Sequence, residues 1–263
     1  MLFPPGSMGY SARVSLKHEY ERFVEREIEE YKDRVPRTAI LKIADEAAQR
    51  LHAQEQVTLN EMVLWIEVDR IIAARLRIPA YQTWARRRRK QLELLRRPEA
   101  WGLTSDAPVV RNLPTAHDAH VLVVQPSEER AALFLAANGC TVTAVEPKAD
   151  IIARILKTAD ENGLGARLQA VNTALTAFAP SAPLSGVFCT QAAFAGLTPA
   201  ERRRVLAVLQ SATADGGVHL VETIAAGSTG LGLEELRKSY AGWDVSIEGD
   251  PDLGDPTFVA RKA

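Results

Sequence analysis

Two cysteines, five histidines and a run of arginines carry the most obvious chemistry in this 263-residue chain. Cys140 and Cys189 have no second Cys or His at metal-ligand spacing, so the pattern offers no zinc site and no metal is expected. Two thiols do not build a disulfide framework, and the expected compartment is the cytoplasm. Cys189, Thr190 and Gln191 close an apolar stretch. No His lies near Cys189 in the sequence, and small apolar packing is the default for a strand Cys. His117, His120 and His219 form no metal spacing and read as structural. The densest positive stretch is Trp84-Ala85-Arg86-Arg87-Arg88-Arg89-Lys90, followed by Arg96-Arg97. It suits phosphates, with Tyr81 and Trp84 as stacking surfaces. It suits an anionic protein surface equally, or pairing with Glu19–Glu30, which holds six glutamates.

These residues need elements to position them. Charged residues make up 25% and hydrophobic ones 46%, with net charge -1, as in ordinary globular proteins that are not drawn as a whole to polyanions. No apolar run approaches the roughly 20 residues a membrane span needs, and no membrane association is expected. Residues 1–12, with Pro4, Pro5, Gly6 and Gly9, read as a loose tail without the pattern of a signal peptide. Residues 13–101 read as a helical domain. Leu16, Tyr20, Phe23, Val24 and Ile28 form one stripe at spacings of three and four, and Pro36 stops that helix. Further helices are expected over Thr38–Ala53, from Thr58 with a Thr58/Glu61 capping box, and over Ala80–Arg97. Trp65 and Trp101 are expected to pack among apolar neighbours. Residues 102–116, with Gly102, Pro108 and Pro114, read as a linker.

From residue 117 the pattern changes to strands alternating with helices. Strands are expected at His120–Val124, Thr141–Glu146, Ala166–Val171, Gly186–Thr190, Val218–Ile224, Trp243–Glu248 and Thr257–Arg261. Helices fall between them, one opened by Thr198, Pro199 and Glu201 in capping-box spacing. Gly216-Gly217 reads as a turn. Such alternation means a mostly parallel sheet covered on both faces, with an antiparallel edge from the last pair. The fold class is therefore α/β, a doubly wound Rossmann-like sheet over residues 117–263, preceded by an all-α region. In such sheets ligands sit beyond the carboxyl ends of the strands, above all at the first strand-to-helix turn, where glycine lets the ligand approach.

Here that turn reads Val121-Leu122-Val123-Val124-Gln125-Pro126-Ser127-Glu128-Glu129-Arg130. With Leu135–Ala136, Gly139 and Val142–Val145 it resembles the S-adenosylmethionine-dependent methyltransferases, most closely their tellurite-resistance and thiopurine-type branch. That family has a strand V-L-D-L, a loop G-C-G-x-G-R, a helix ending L-A-x-x-G and a strand V-T-A-V-D. Ala159–Leu164, Ala214–Gly217, Glu234–Tyr240 and Gly242-Trp243 extend the resemblance, which includes none of the helical part.

The resemblance implies a cofactor site at Gln125, Ser127, Glu129, Glu146 and Asn172. The family's loop glycines fall on Gln125, Ser127 and Glu129, and its strand acid on Val123. Pro126 removes a backbone donor. Glu129 would lie near the cofactor's methionine carboxylate, and two carboxylates a few Å apart repel by roughly 1 kcal/mol in water and several at a protein-like dielectric. Equally, Glu128 and Glu129 suit a helix N-terminus. Glu146 falls where the family holds both ribose hydroxyls. Asn172 falls near the adenine amine, where an amide can still accept. The implied protein is methyltransferase-like with a degenerate S-adenosylmethionine site, acting by binding, with a protein partner on the helical region at Arg86, Arg87, Arg88, Arg89 and Lys90. The alternatives are an active methyltransferase on a small thiol or oxyanion, and nucleic-acid binding through the same basic run.

Overall fold

The structure is a computed structural model, and it describes residues 15–53, 60–113, 118–125, 129–222, 231–249 and 256–263. Two compact units divide between Lys90 and Gln91.

The first unit is helical. α1 (Leu16–Arg34), α2 (Arg37–His52) and α3 (Glu61–Arg75) bury Ile28, Ile43, Ala47, Val68, Ile71 and Ile72 together. The stripe read from the sequence thus faces a core, as its spacing requires. Ser15 caps α1 by accepting from the His18 N–H. The expected Thr58 cap lies outside the described residues; the cap seen on α3 is Asn60, whose Oδ1 accepts from the Val63 N–H at 2.8 Å. α4 (Tyr81–Leu95) begins in this unit. Its Tyr81 and Trp84 rings meet Tyr20, and Trp84 also stacks on Phe23. The expectation that Trp65 is core fails. Met62, Trp65 and Ile66 lie on the outer side of α3 at 72%, 43% and 59% exposure, because Val68, Ile71 and Ile72 already fill the inner side.

In the second unit the described part of the expected linker, residues 102–113, is instead part of the fold. A 3-10 turn at Pro98–Trp101 and α5 (Pro108–Asn112) follow α4. Leu92, Leu95, Trp101, Leu103, Val109, Val110 and Leu113 join the core around α6 (Arg130–Ala137). The reason is α6 itself: Ala131 to Ala137 are all buried, so this helix is apolar all round and needs cover on its outer side too. Arg130 Nη1 and Asn138 Nδ2 donate to the Gly102 and Arg96 carbonyls and fix that cover.

The sheet has seven strands: β1 (His120–Val124), β2 (Thr141–Val145), β3 (Leu168–Val171), β4 (Leu184–Cys189), β5 (Thr213–Glu222), β6 (Asp244–Glu248) and β7 (Thr257–Arg261). Their spatial order is β3-β2-β1-β4-β5-β7-β6. The first five are parallel, and β7 runs antiparallel to β5 and β6. Side-chain alternation splits the interior in two. Val121, Val123, Val142 and Leu168 face α6 and α7 (Ala149–Glu161), while Leu122, Val124, Val145 and Val187 face α8 (Pro199–Ala212) and α9 (Leu233–Ser239). Thr198 and Glu201 close the expected capping box on α8. Gly216-Gly217 does not end a turn before the strand; β5 already starts at Thr213, and the register jump from Leu184↔Thr213 to Gly186↔Val218 absorbs the glycines as a bulge. No described helix is long and apolar enough to cross a membrane.

One polar network crosses the α8–α9 side. Thr213 Oγ1 donates its single proton to the Leu209 carbonyl, so at 2.7 Å it accepts from His219 Nε2–H. His219 Nδ1 then accepts from the Tyr240 hydroxyl at 2.7 Å, which makes the ring neutral in one tautomer. Burial, with a smaller contribution from the Lys262 charge, pulls His219 down to about 3. A depressed histidine stabilises the fold fully above its unfolded value of about 6.5, and that stability drains as pH falls toward the folded value. Chemical unfolding between pH 6.5 and 3 is therefore expected to lose about 1.4 kcal/mol per pH unit more in the native chain than in His219→Gln. Equal slopes in the two proteins would show that His219 is not held neutral.

Candidate functional site

The carboxyl ends of the parallel strands bring four residues into a row. In spatial order they are Asn172 after β3, Glu146 after β2, Gln125 after β1 and Thr190 after β4. The strand order reverses between β1 and β4, the place where doubly wound sheets take ligands. The strand ends are tied to one another by the backbone: Gln125 N–H donates to Val145 O at 2.8 Å, Glu146 N–H to Val171 O at 3.1 Å and Thr190 N–H to Val124 O at 3.3 Å.

Gln125 holds the left-handed conformation, φ 46°. The resemblance places glycine here, and the turn still has a glycine's geometry although it carries a full side chain. A non-glycine residue in this region costs roughly 1–2 kcal/mol. The Thr190 hydroxyl donates to the Gln125 carbonyl at 2.7 Å and pins the turn across the β1–β4 gap. Sequence reading placed Thr190 at the strand end but gave no sign of this bond.

Glu146 is not a solvent-facing strand end: it is 3% exposed. Its Oε1 accepts from the Lys148 N–H at 3.0 Å. Asn172 is exposed, and its Nδ2 donates to the carbonyls of Glu146 and Pro147 at 3.2 and 3.0 Å. The amide thus latches the loop after β2 with its donor end, leaving the acceptor function to Oδ1. These two residues are brought together as neighbours of one turn.

Glu129 opens α6 without a side-chain capping bond. Its carboxylate accepts from Arg154 Nε on α7 at 2.9 Å. The negative charge is matched, so the repulsion inferred from the sequence is weaker than a lone carboxylate would give. Nothing in the sequence pairs residues 25 positions apart on two helices. Glu129 and Arg154 also line a surface cavity of about 550 Å³ with Trp101, Arg130, Leu133 and Thr158. Ser127, with Pro126 and Glu128, lies outside the described residues, as does His117. Val123, where the family has its strand acid, is fully buried in the α6 core.

The thiols are poor nucleophiles. Burial pushes Cys140 up to about 11 and Cys189, beside the Glu222 charge, higher still. His120 Nε2 meets Thr143 Oγ1 at 3.0 Å, and burial lowers its basicity. Among the described residues, no cluster of three or more His, Cys, Asp or Glu could hold a metal ion.

The basic run is not one surface. Arg88 turns inward, 7% exposed, and its Nε donates to Glu19 at 3.2 Å. Arg86, Arg87, Arg89 and Lys90 point outward. Of the five residues expected to form one surface, Arg88 therefore does not share it, since helical periodicity sends every third or fourth residue to the side that packs.

The second unit is thus a doubly wound α/β domain with a row of polar residues at its strand ends. No family model and no curated protein matches the chain. Among solved structures it is similar to TehB from Haemophilus influenzae, at 18% identity over 56% of this chain and 58% of that one, TM-score 0.47. It is also similar to the N-methyltransferase NodS from Bradyrhizobium japonicum, at 12% identity over 60% of this chain and 99% of that one, TM-score 0.48. A third is the magnesium protoporphyrin IX methyltransferase ChlM from Synechocystis with bound SAM, at 11% identity over 67% of this chain and 80% of that one, TM-score 0.47.

The strained turn is directly testable. Gln125→Gly removes the Cβ from a left-handed position and is expected to raise unfolding stability by up to about 1 kcal/mol in urea titration, the relief being partly offset by glycine's greater unfolded-state freedom. A loss of stability would mean that the Gln125 side chain holds the turn rather than straining it.

Proposed function

We propose that the second unit is a methyltransferase-like binding domain that does not transfer methyl groups, its donor end closed while a nucleoside-type site is kept. The observation that carries this reading is Gln125: a full side chain occupies a left-handed turn, with its N–H and carbonyl both engaged, where the resembling family needs glycine. The backbone there has no spare donor at residue 125 for an amino-acid tail, and the Cβ occupies space the tail requires. The other end fits better. Glu146 offers a buried carboxylate for a diol, and Asn172 keeps an amide oxygen next to it. S-adenosylmethionine, the family's cofactor, would supply an activated methyl group; here only its nucleoside part meets suitable residues. On this reading the chain acts through what it binds, with the helical unit as the partner-bearing part.

One observation favours a second reading, an active methyltransferase on a small thiol or oxyanion. Arg154 neutralises Glu129, so the charge conflict at the loop is reduced. Such an enzyme needs chiefly to align donor and acceptor, and lacks no general base by that standard.

Calorimetric titration separates the two. The purified chain is expected to take up S-adenosylmethionine and S-adenosylhomocysteine no more tightly than adenosine itself. Micromolar uptake of S-adenosylmethionine would overturn the closed donor end, and transfer of its labelled methyl group to a small thiol would establish the second reading.

A further inference from the structure

The outer side of α4 has the make-up of a polyanion contact. Of residues 81–90, the exposed ones are Tyr81, Gln82, Arg86, Arg87, Arg89 and Lys90. Arg86, Arg89 and Lys90 stand at i, i+3 and i+4, so they share one face within a single turn, with Gln82 a turn before and Arg87 flanking. At 1.5 Å per residue, Arg86 and Lys90 lie about 6 Å apart along the axis.

The acidic helix that the sequence offers as a neutraliser does not reach these cations. Four of the six glutamates over Glu19–Glu30 pair elsewhere: Glu29 on Lys32, Glu30 on Arg34, Glu21 beside His18, and Glu19 on the inward Arg88. Among the described residues, no carboxylate stands within ion-pair distance of Arg86, Arg87, Arg89 or Lys90. Four like charges on little more than one turn repel one another, by a few tenths of a kcal/mol per i,i+4 pair. Arg88 shows what the fold itself requires of this run, a single inward guanidinium; the other four are surplus to packing.

We propose that this face of the first unit binds the phosphate backbone of a nucleic acid. Its composition favours that partner over an acidic protein. Protein interfaces have a core depleted in charge and built on apolar or aromatic anchors. Gln82, Arg86, Arg89 and Lys90 include none, the exposed Leu94 one turn on is a single apolar side chain, and Tyr81 and Trp84 are engaged with Tyr20 on another side of the helix. A membrane surface likewise calls for apolar side chains beside the basic ones. Phosphate contacts need only charge and donors, and they carry no sequence information by themselves. The contact is expected to be sequence-independent. It does not depend on what the sheet unit binds.

The test uses the full chain and fluorescence anisotropy with labelled single-stranded RNA, single-stranded DNA and duplex DNA of mixed sequence. Binding at low salt is expected, with log K falling linearly in log salt and a slope of about -2 to -4 for three or four phosphate contacts. The triple variant Arg86→Gln/Arg89→Gln/Lys90→Gln is expected to bind at least about tenfold more weakly at low salt and to flatten the slope by about two units or more. It leaves Arg88 and its Glu19 contact intact, and an unchanged melting curve checks the fold. The proposal is overturned if no oligonucleotide binds at low salt, or if the folded triple variant binds like the native chain. It is also overturned if polyglutamate or phosphatidylserine vesicles bind while oligonucleotides do not.

Discussion

The central strand β1 is the constraint on which the second unit rests. Val121, Leu122, Val123 and Val124 are all fully buried, which no strand achieves with one face in water. Each residue must find cover on its own side of the sheet, at about 25 cal/mol per Å² of apolar surface removed from water. The period of two then fixes everything around it. Odd residues demand α6 and α7 on one side, even residues demand α8 and α9 on the other, and a one-residue slip would exchange the two sets. The same demand extends outward. α6 is apolar all round, so it draws residues 92–113 over its far side. What looks like a tether is the outermost layer of the core.

Fixing β1 between β2 and β4 also fixes where chemistry is possible. Asn172, Glu146, Gln125 and Thr190 reach one edge because four parallel strands end there. The bonds among them are mostly between one residue's side chain and another's backbone: the Asn172 amide on the loop after β2, the Thr190 hydroxyl on the Gln125 carbonyl. The edge is therefore well knit. The left-handed geometry of Gln125 survives without glycine because the strand on each side holds both of its backbone polar groups, and that support offsets the local strain.

The helical unit distributes charge by a different rule. Its acids and bases alternate along α1 and pair within a turn, where exposed ion pairs contribute a few tenths of a kcal/mol. Other pairs join helices, Lys32 to Asp69, Arg50 to Glu67 and Arg75 to Glu46, and Arg88 is a buried guanidinium that joins α4 to Glu19 of α1. The neighbouring cations on α4 take no part in this pattern, and the core of Ile43, Val68, Ile71 and Ile72 would stand without them.

Much of this was legible in the residues. The bounds of β1 and β7, the capping box at Thr198 and the positions of most helices follow from local rules, because apolar periodicity and side-chain caps act within a few residues. The resemblance around residues 121–145 located the strand-end row, since the spacing of strand, turn and helix is itself local. What the tertiary structure alone decided is everything that joins distant positions. It alone shows Arg154 on Glu129, Thr190 on Gln125, Trp65 left outside while Val68 goes in, a proline-containing stretch packed as core, and one of four consecutive arginines turned inward. Each of these depends on which surface meets which after the chain has closed. Local sequence specifies a residue's preference for burial or charge, but not which partner the fold brings within reach of it.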